Sequence, residues 1–100
     1  MTQSIPVIST QEWKPIGDLR ARAIEITGGR ISYVEVSPHD APARLTVRVV
    51  DPSGAIDCVF LGRRMIVGLQ PGATVGLIGR VAPTSDVPVI FNPRYELRIA

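Results

Sequence analysis

A run of alternating apolar and polar residues that ends in a turn signature constrains the fold of this chain most strongly. In the run ARLTVRVV, the apolar Leu45, Val47 and Val49 alternate with the polar Arg44, Thr46 and Arg48. A period of two puts alternate side chains on opposite faces of a β-strand. The next four residues, DPSG at 51–54, have the composition of a type I turn. The sequence therefore predicts a β-hairpin with one apolar face.

The run AIDCVFLG continues the hairpin as its second arm. Its period predicts that Ile56, Cys58 and Phe60 face a core, and that the residues between them face outward. The outer faces of the two arms would then form one surface, which carries Arg44, Thr46, Arg48, Asp57, Val59 and Leu61.

Three further segments have the character of strands, at 18–36, 74–82 and 89–99. The first is long and is interrupted by Gly28 and Gly29, and glycines within a strand mark a bulge or bend. Such a strand could belong to both halves of a small barrel. In the last strand, the shared parity of Phe91, Tyr95, Leu97 and Ile99 predicts that these side chains face the core.

The order of these segments predicts an all-β fold. The run RRMIVGLQPG, at 63–72, is the candidate helix, with one to two turns between the third and fourth strands. Five short strands hide their edges by closing into a barrel. We therefore expect a five-stranded Greek-key OB-fold barrel over residues 16–100, with a short helical link. Residues 1–15 are interpreted as a flexible tail, within which Trp13 is expected to pack on the domain, the alternative being that it stacks on a ligand.

Composition argues against several classes of function. The chain has 100 residues, one His and one Cys, so neither a metal site around His39 nor a nucleophile activated by a base can be assembled. We expect a protein that is not an enzyme and has no cofactor. The chain shows no apolar run long enough for a membrane span and no secretory signal, which predicts a cytoplasmic location.

At this point the residues resemble a known family. The run LTVRVVDPSGAIDCVFLGRRMIVGLQPGATVGLIGRV is similar to OB-fold nucleic-acid-binding domains, which include the wedge domain of branched-DNA helicases and the anticodon-binding domains of some tRNA synthetases. More narrowly, FLGRRMIVGLQPG together with NPRYEL resembles a group of small actinobacterial OB-fold proteins. The resemblance covers about residues 16–99 and implies a nucleic-acid-binding class.

The candidate binding face departs from this family in one respect. The outer side of its two central strands carries arginines but no aromatic side chain, whereas base stacking contributes about 1–3 kcal/mol per base in single-strand binders. Ten of the eleven cationic residues are Arg, whose planar fork suits phosphate. The net charge is only +2. We therefore expect single-stranded or irregular DNA or RNA to be held by arginine–phosphate contacts, with modest affinity and strong salt dependence.

Eight residues are candidates for this role: Tyr33, Arg44, Thr46, Arg48, Arg63, Arg64, Arg80 and Arg94. Several of them have an alternative. Arg63 and Arg64 could simply solvate the start of the candidate helix. Arg48 could be neutralised by Asp57 across the hairpin, and Arg64 could form a structural ion pair. Arg80 and Arg94 could be solvated strand charges. Tyr33 would be a stacking residue only if it points outward.

A different class of function is also compatible with the sequence. The apolar Val59 and Leu61 on the outer face, the sparse aromatics and the low net charge are typical of a protein-interaction or assembly module. Such a module could form a homo-oligomer through a strand edge or an apolar face.

Overall fold

The computed structural model describes residue 8, residues 11–84 and residues 86–98. A 3-10 turn at Ile16–Asp18 precedes the first strand. Six strands follow: β1 (Ile24–Val36), β2 (Arg44–Asp51), β3 (Gly54–Leu61), β4 (Thr74–Ala82), β5 (Val89–Phe91) and β6 (Arg94–Arg98). In this part of the chain, no helix is long and apolar enough to cross a membrane.

The strands close into a five-stranded barrel with one additional strand. β1 pairs with β2, β2 with β3, β3 with β5 and β5 with β4, and a further pairing of β1 with β4 closes the ring. The β3–β5 pairing is parallel and the others are antiparallel. β6 extends the sheet along β4. This all-β barrel fits the OB-fold that the sequence predicted.

β1 serves both halves of the barrel, as its length predicted. Residues 24–30 pair with β4, and residues 30–36 pair with β2. The register slips between Ile31 and Tyr33, whereas Gly28 and Gly29 stay in regular register with β4. The bulge is thus at Ser32, three residues beyond the glycines. It turns Tyr33 to the outside of the barrel, where regular alternation after the buried Ile31 would have pointed it inward.

The barrel interior is filled by the side chains that the hairpin pattern predicted. Leu45, Val47 and Val49 from β2 and Ile56 and Cys58 from β3 are all almost completely buried. They form one cluster with Ile31, Val75, Leu77, Val81 and Ile90. Burial of a large aliphatic side chain contributes about 1.5–3 kcal/mol, so this cluster is the main source of stability.

The link between β3 and β4 is not helical, and the predicted helix at 63–72 is wrong. Its backbone forms turns, and Gly62, Gly68 and Gly72 all have positive φ, at 82°, 90° and 93°. Residues in that conformation cannot continue a right-handed helix. The link instead inserts Ile66 and Leu69 into the core cluster, so that it closes one end of the barrel without a helix.

The segment before β1 packs on the barrel where it is described. Lys14 forms a bridge with Thr27, whose hydroxyl donates to the Lys14 carbonyl at 2.6 Å. The ring of Trp13 lies over Gly28 and Gly76, so closely that a Cβ on Gly28 would meet the ring at 2.5 Å. Trp13 therefore packs on the domain, as expected, and the interpretation of a flexible tail does not apply to Trp13 and Lys14. Residues 1–7, 9 and 10 of that tail lie outside the described residues.

The last predicted strand is two strands, and part of its predicted orientation is wrong. Asn92 has φ of +50° and Pro93 lacks an N–H, so the ladder is interrupted between β5 and β6. Before the interruption, Ile90 is completely buried and Phe91 is 55% exposed. Phe91 thus faces outward, whereas Leu97 beyond the interruption packs against the core as predicted. Tyr95 lies between these cases, because it is 38% exposed while its ring contacts Phe60 edge-on, with ring centroids 5.8 Å apart. Ile99 lies outside the described residues.

Candidate nucleic-acid interface

The outer face of β1, β2, β3 and β5 is organised in rows of side chains that run across the strands. Strand registers define two complete rows, and members of a row lie side by side. The first consists of Tyr33, Arg48, Asp57 and Val89, and the second of Glu35, Thr46, Val59 and Phe91. A third, shorter row contains Arg44 and Leu61. We call this surface the outer face.

Arg48 is paired with Asp57 at the centre of the outer face. The Arg48 Nε and Nη2 donate to the two carboxylate oxygens of Asp57 at 2.8 and 2.9 Å. The hydrogen bonds with Asp57 raise the pKa of Arg48 above its ordinary value. The Arg48 guanidinium also lies 5.0 Å from the centre of the Tyr33 ring. The alternative of a neutralised Arg48 is thus the one observed, and this arginine attracts phosphate less than a free one would.

Tyr33 is presented to solvent by this arrangement. Its ring is held by Arg48, its residue is 40% exposed, and it stands at the β1 edge of the outer face. A ring that is fixed on one side and open on the other is suited to stacking on a flat ligand.

Arg44 and Thr46 line a cavity of about 310 Å³ at one end of the outer face, together with Glu35, Val36, Ser37 and Pro38. The Ser37 hydroxyl accepts from the Arg44 backbone N–H at 2.9 Å and so fixes the start of β2. Among the described residues, no carboxylate forms an ion pair with Arg44, although Glu35 lines the same cavity. Arg44 is therefore a cation available to an anionic ligand.

The adjacent Arg63 and Arg64 have different environments. Arg64 Nη2 donates to the carbonyls of Ala41 at 2.6 Å and Pro38 at 3.1 Å, which ties the link to the loop between β1 and β2. Arg64 thus has a structural role, through backbone carbonyls and not through an ion pair. Arg63 is exposed and follows Gly62, whose N–H donates to Ala43 at 2.8 Å. Arg63 therefore lies near Arg44.

Arg80 and Arg94 lie on other strands. Arg94 is on β6, opposite Ile78 of β4, and is not brought to the rows of β2 and β3. Arg80 is on β4, and its Nη1 donates to the Arg22 carbonyl at 2.6 Å. Val81 pairs with the buried Ile90, so their neighbours Arg80 and Phe91 both point outward next to each other. Arg80 therefore continues the row that ends in Phe91.

Phe91 is the residue of this surface that the sequence pattern missed. Its row neighbour Val59 is only 8% exposed, so Phe91 is the open apolar end of the row. The signal that could have located it is Asn92-Pro93, since a proline that interrupts a strand also ends the alternation on which parity depends.

The described residues contain no group of three His, Cys, Asp or Glu side chains that could hold a metal ion. Burial raises the pKa of the Cys58 thiol, and the side chain is enclosed in the core. Cys58 therefore behaves as a small apolar residue and not as a reactive thiol.

No protein-family model and no curated protein sequence matches the chain. Its fold is similar to that of the replication Factor A Related Protein from Methanobacterium thermoautotrophicum, with a TM-score of 0.63 and 14% identity over 87% of this chain and 91% of that one. It is also similar to a chain in a structure described as "Structural mimicry for functional antagonism", with a TM-score of 0.67 and 12% identity. That match covers 95% of this chain, which spans about half (51%) of the other. At these identities the similarity establishes the fold, an OB-like barrel. It does not establish a function, which has to be inferred from the residues of the outer face.

Proposed function

We propose that this protein is a non-enzymatic module that binds single-stranded or irregular DNA or RNA across the outer face. The observation that carries the proposal is the position of Arg44, a cation without a carboxylate partner among the described residues, beside Thr46 in a cavity of about 310 Å³. Arg63 lies near the same end of the face. A guanidinium with free N–H groups is well suited to a phosphate oxygen.

Tyr33 supplies the second element of the proposed interface. Its ring is exposed and is held by Arg48, so a base could stack on it without first ordering a mobile side chain. Arg48 has its charge engaged by Asp57 and contributes mainly by positioning the ring. With few free cations and one stacking residue on this part of the face, binding should be of modest affinity. The narrower resemblance to helicase-wedge, anticodon-binding and actinobacterial proteins remains a prediction of the sequence.

The similarity to a replication Factor A related protein supports a binding or interaction class for this barrel. The proposal is tested by titrating a fluorescein-labelled oligothymidylate and the matching oligouridylate with the protein at two salt concentrations. We expect binding at low salt that weakens as the salt concentration rises. The salt slope is the steepness of the plot of log binding constant against log salt concentration, and it should decrease by about 0.7 for each phosphate contact removed. Arg44→Ala should lower both affinity and slope. Absence of binding at low salt, or binding that salt does not affect, would contradict the proposal.

A second candidate function is an assembly module, which the exposed apolar side chains favour. Leu61 on the outer face is 53% exposed, and Met65 and Val67 in the link are 72% and 83% exposed. Apolar groups in such positions are typical of protein interaction sites. Sedimentation equilibrium separates the two functions, because an assembly module should form a concentration-dependent oligomer that Leu61→Ser or Val67→Ser weakens and Arg44→Ala does not. A monomer at all concentrations would exclude self-association.

A further inference from the structure

A second cavity lies where the outer face continues past β5 onto β4. It has a volume of about 350 Å³ and is lined by Arg22, Arg80, Val81, Ala82, Pro83 and Phe91. It therefore combines two cations with an exposed aromatic ring and apolar walls. Neither arginine forms an ion pair with a carboxylate of the described residues.

The two arginines of this cavity are held in place by the backbone. Arg22 has φ of +71°, a left-handed conformation that is uncommon for a residue other than glycine. Its N–H donates to the Val81 carbonyl at 2.7 Å, and its own carbonyl accepts from Arg80 Nη1 at 2.6 Å. These contacts fix Arg80 against the turn that carries Arg22. The remaining guanidinium N–H groups of Arg80 have no partner among the described residues.

One row of outward side chains connects this cavity to the one that contains Arg44. Glu35 and Thr46 line the first cavity, Val59 follows on β3, and Phe91 lines the second. Three strand spacings separate Thr46 on β2 from Arg80 on β4, which corresponds to about 14 Å along the barrel surface. A chain of several nucleotides that crosses the strands would thus meet basic groups at both ends of the row.

We propose that the cavity of Arg22, Arg80, Pro83 and Phe91 is a second contact site for single-stranded nucleic acid, in which a base stacks on Phe91 and the flanking phosphates bind Arg22 and Arg80. This inference rests on the proposed function and adds the direction of the ligand, which crosses β2, β3 and β5 and ends on β4. Three features match such a ligand. The ring provides a stacking surface, the two guanidinium groups provide phosphate donors, and nearby carboxylates do not neutralise them.

Arg22→Gly is the sharpest variant for testing this site. Glycine adopts a positive φ without steric cost, so this change removes the guanidinium while it relieves the backbone. Loss of binding in a variant that is folded and not destabilised cannot be ascribed to unfolding. Arg20→Ala is the control for loss of one positive charge, because Arg20 is an exposed arginine in the same turn that does not line the cavity and lies 3.8 Å from Glu25.

The experiment measures anisotropy of a labelled oligothymidylate of about twelve nucleotides, within the range bound by one OB-fold. For Arg22→Gly and Arg80→Ala, we expect the salt slope to fall by about 0.7 each, whereas Arg20→Ala keeps the wild-type slope. For Phe91→Ala and Phe91→Leu, affinity should fall about five-fold or more, while Phe91→Tyr retains it.

The outcomes separate this inference from the proposed function. If Arg44→Ala weakens binding and the variants at Arg22, Arg80 and Phe91 do not, the outer face binds nucleic acid and the second site is wrong. Wild-type affinity in Phe91→Leu would overturn stacking, because leucine keeps the apolar contact and lacks the ring. If the wild-type protein binds no oligonucleotide, the proposed function fails and the second site fails with it.

Discussion

Arg48 and Asp57 lie directly opposite each other on β2 and β3 and are joined by two hydrogen bonds, of 2.8 and 2.9 Å, in the middle of the outer face. The pair is partly buried, with side-chain exposures of 29% and 17%. It removes the most central arginine from those available to phosphate. The affinity of this face therefore depends on cations at its edges.

Asp57→Asn should release Arg48 and strengthen binding of a single strand. We expect higher affinity and a salt slope that is steeper by up to about 0.7, the value for one phosphate contact. Stability should fall by about 1 kcal/mol or more, because a bidentate, partly buried pair exceeds the usual range for exposed pairs. Anisotropy titration and urea unfolding measure the two effects.

The control for this prediction is Asp86→Asn. Asp86 is exposed and contributes to the field at Arg48 without bonding to it, so this variant removes the same charge and leaves the pair intact. An equal gain in affinity for Asp86→Asn would mean that net charge, and not the freed guanidinium, explains the effect.

Replacement by alanine should affect stability at Arg64 and nucleic-acid binding at the neighbouring Arg63. Arg64→Ala removes two charged hydrogen bonds to the loop carbonyls of Pro38 and Ala41, and should lower the free energy of unfolding by about 1–3 kcal/mol. Arg63→Ala should change stability by less than about 0.5 kcal/mol, because its side chain is exposed and has no partner among the described residues. In the binding assay Arg63→Ala should reduce the salt slope. Equal stability losses for the two variants would contradict the assignment.

The fluorescence of Trp13 should change when the protein unfolds and should not change when an oligonucleotide binds. It is the single tryptophan of the chain. Its ring packs on Gly28 and Gly76, its Nε1 donates to the Ile8 carbonyl at 2.9 Å, and Arg98 lies 3.9 Å from the ring centre. We expect tryptophan emission to change on unfolding and to stay constant when an oligonucleotide binds. Quenching by an oligonucleotide would place the ligand next to Trp13, outside the rows of the outer face, and would contradict the proposed interface.

Replacement of Trp13 measures how much this packing stabilises the barrel. Trp13→Ala should cost about 2 kcal/mol, less than a fully buried tryptophan because the residue is half-buried. Trp13→Phe keeps a ring over the glycines, and its cost should be near 1 kcal/mol for the lost hydrogen bond. Thermal unfolding of both variants provides the comparison.

Asp51 should make stability depend on pH in the acid range. Its carboxylate accepts from the Ser53 hydroxyl at 2.6 Å, and from the backbone N–H groups of Ile16, Ser53 and Gly54. Burial favours a higher pKa, but these hydrogen bonds outweigh it and hold the pKa of Asp51 below its ordinary value of 3.8. The contribution is therefore complete above that value and is lost as pH falls through the lower pKa of the folded state.

Comparison of wild type with Asp51→Asn isolates this effect. The difference in free energy of unfolding should be constant above about pH 5 and should shrink as the pH falls below the ordinary pKa of an aspartate. Glu25, whose pKa is also lowered by hydrogen bonds from the Arg20 backbone N–H and from Lys14, titrates in both proteins and so cancels. A difference that does not change with pH would contradict the role of the charged carboxylate.

Local pattern was sufficient to predict the hairpin and its two faces. Alternation placed Val47 and Cys58 in the core, and the turn composition placed Asp51 at the start of the turn that its carboxylate organises. Antiparallel register alone also identified Asp57 as the potential partner of Arg48.

The sequence predictions that are wrong, the helix at 63–72 and the orientation of some strand residues, concern places where tertiary contacts override local periodicity. The link at 63–72 has an apolar pattern compatible with a helix, but Gly68 and Gly72 within it and Gly62 before it have positive φ, and Ile66 and Leu69 enter the barrel core instead. The bulge at Ser32 and the interruption after Phe91 each reverse a parity, and both bring an aromatic ring to the surface. The role of Arg64 depends on a loop 23 residues away in sequence. Of these features, the interruption after Phe91 has a local signature in Asn92-Pro93, whereas the bulge at Ser32 and the contacts of Arg64 do not.

The most direct test of the central claim is a map of backbone amide chemical shifts in the ¹⁵N-labelled protein as an unlabelled oligothymidylate is added. We expect the largest changes at Tyr33, Arg44, Thr46 and Phe91, with the Trp13 indole unchanged. All of these changes should diminish when the salt concentration is raised. Changes confined to Met65 and Val67 in the link, or no changes at low salt, would contradict a nucleic-acid interface on the outer face.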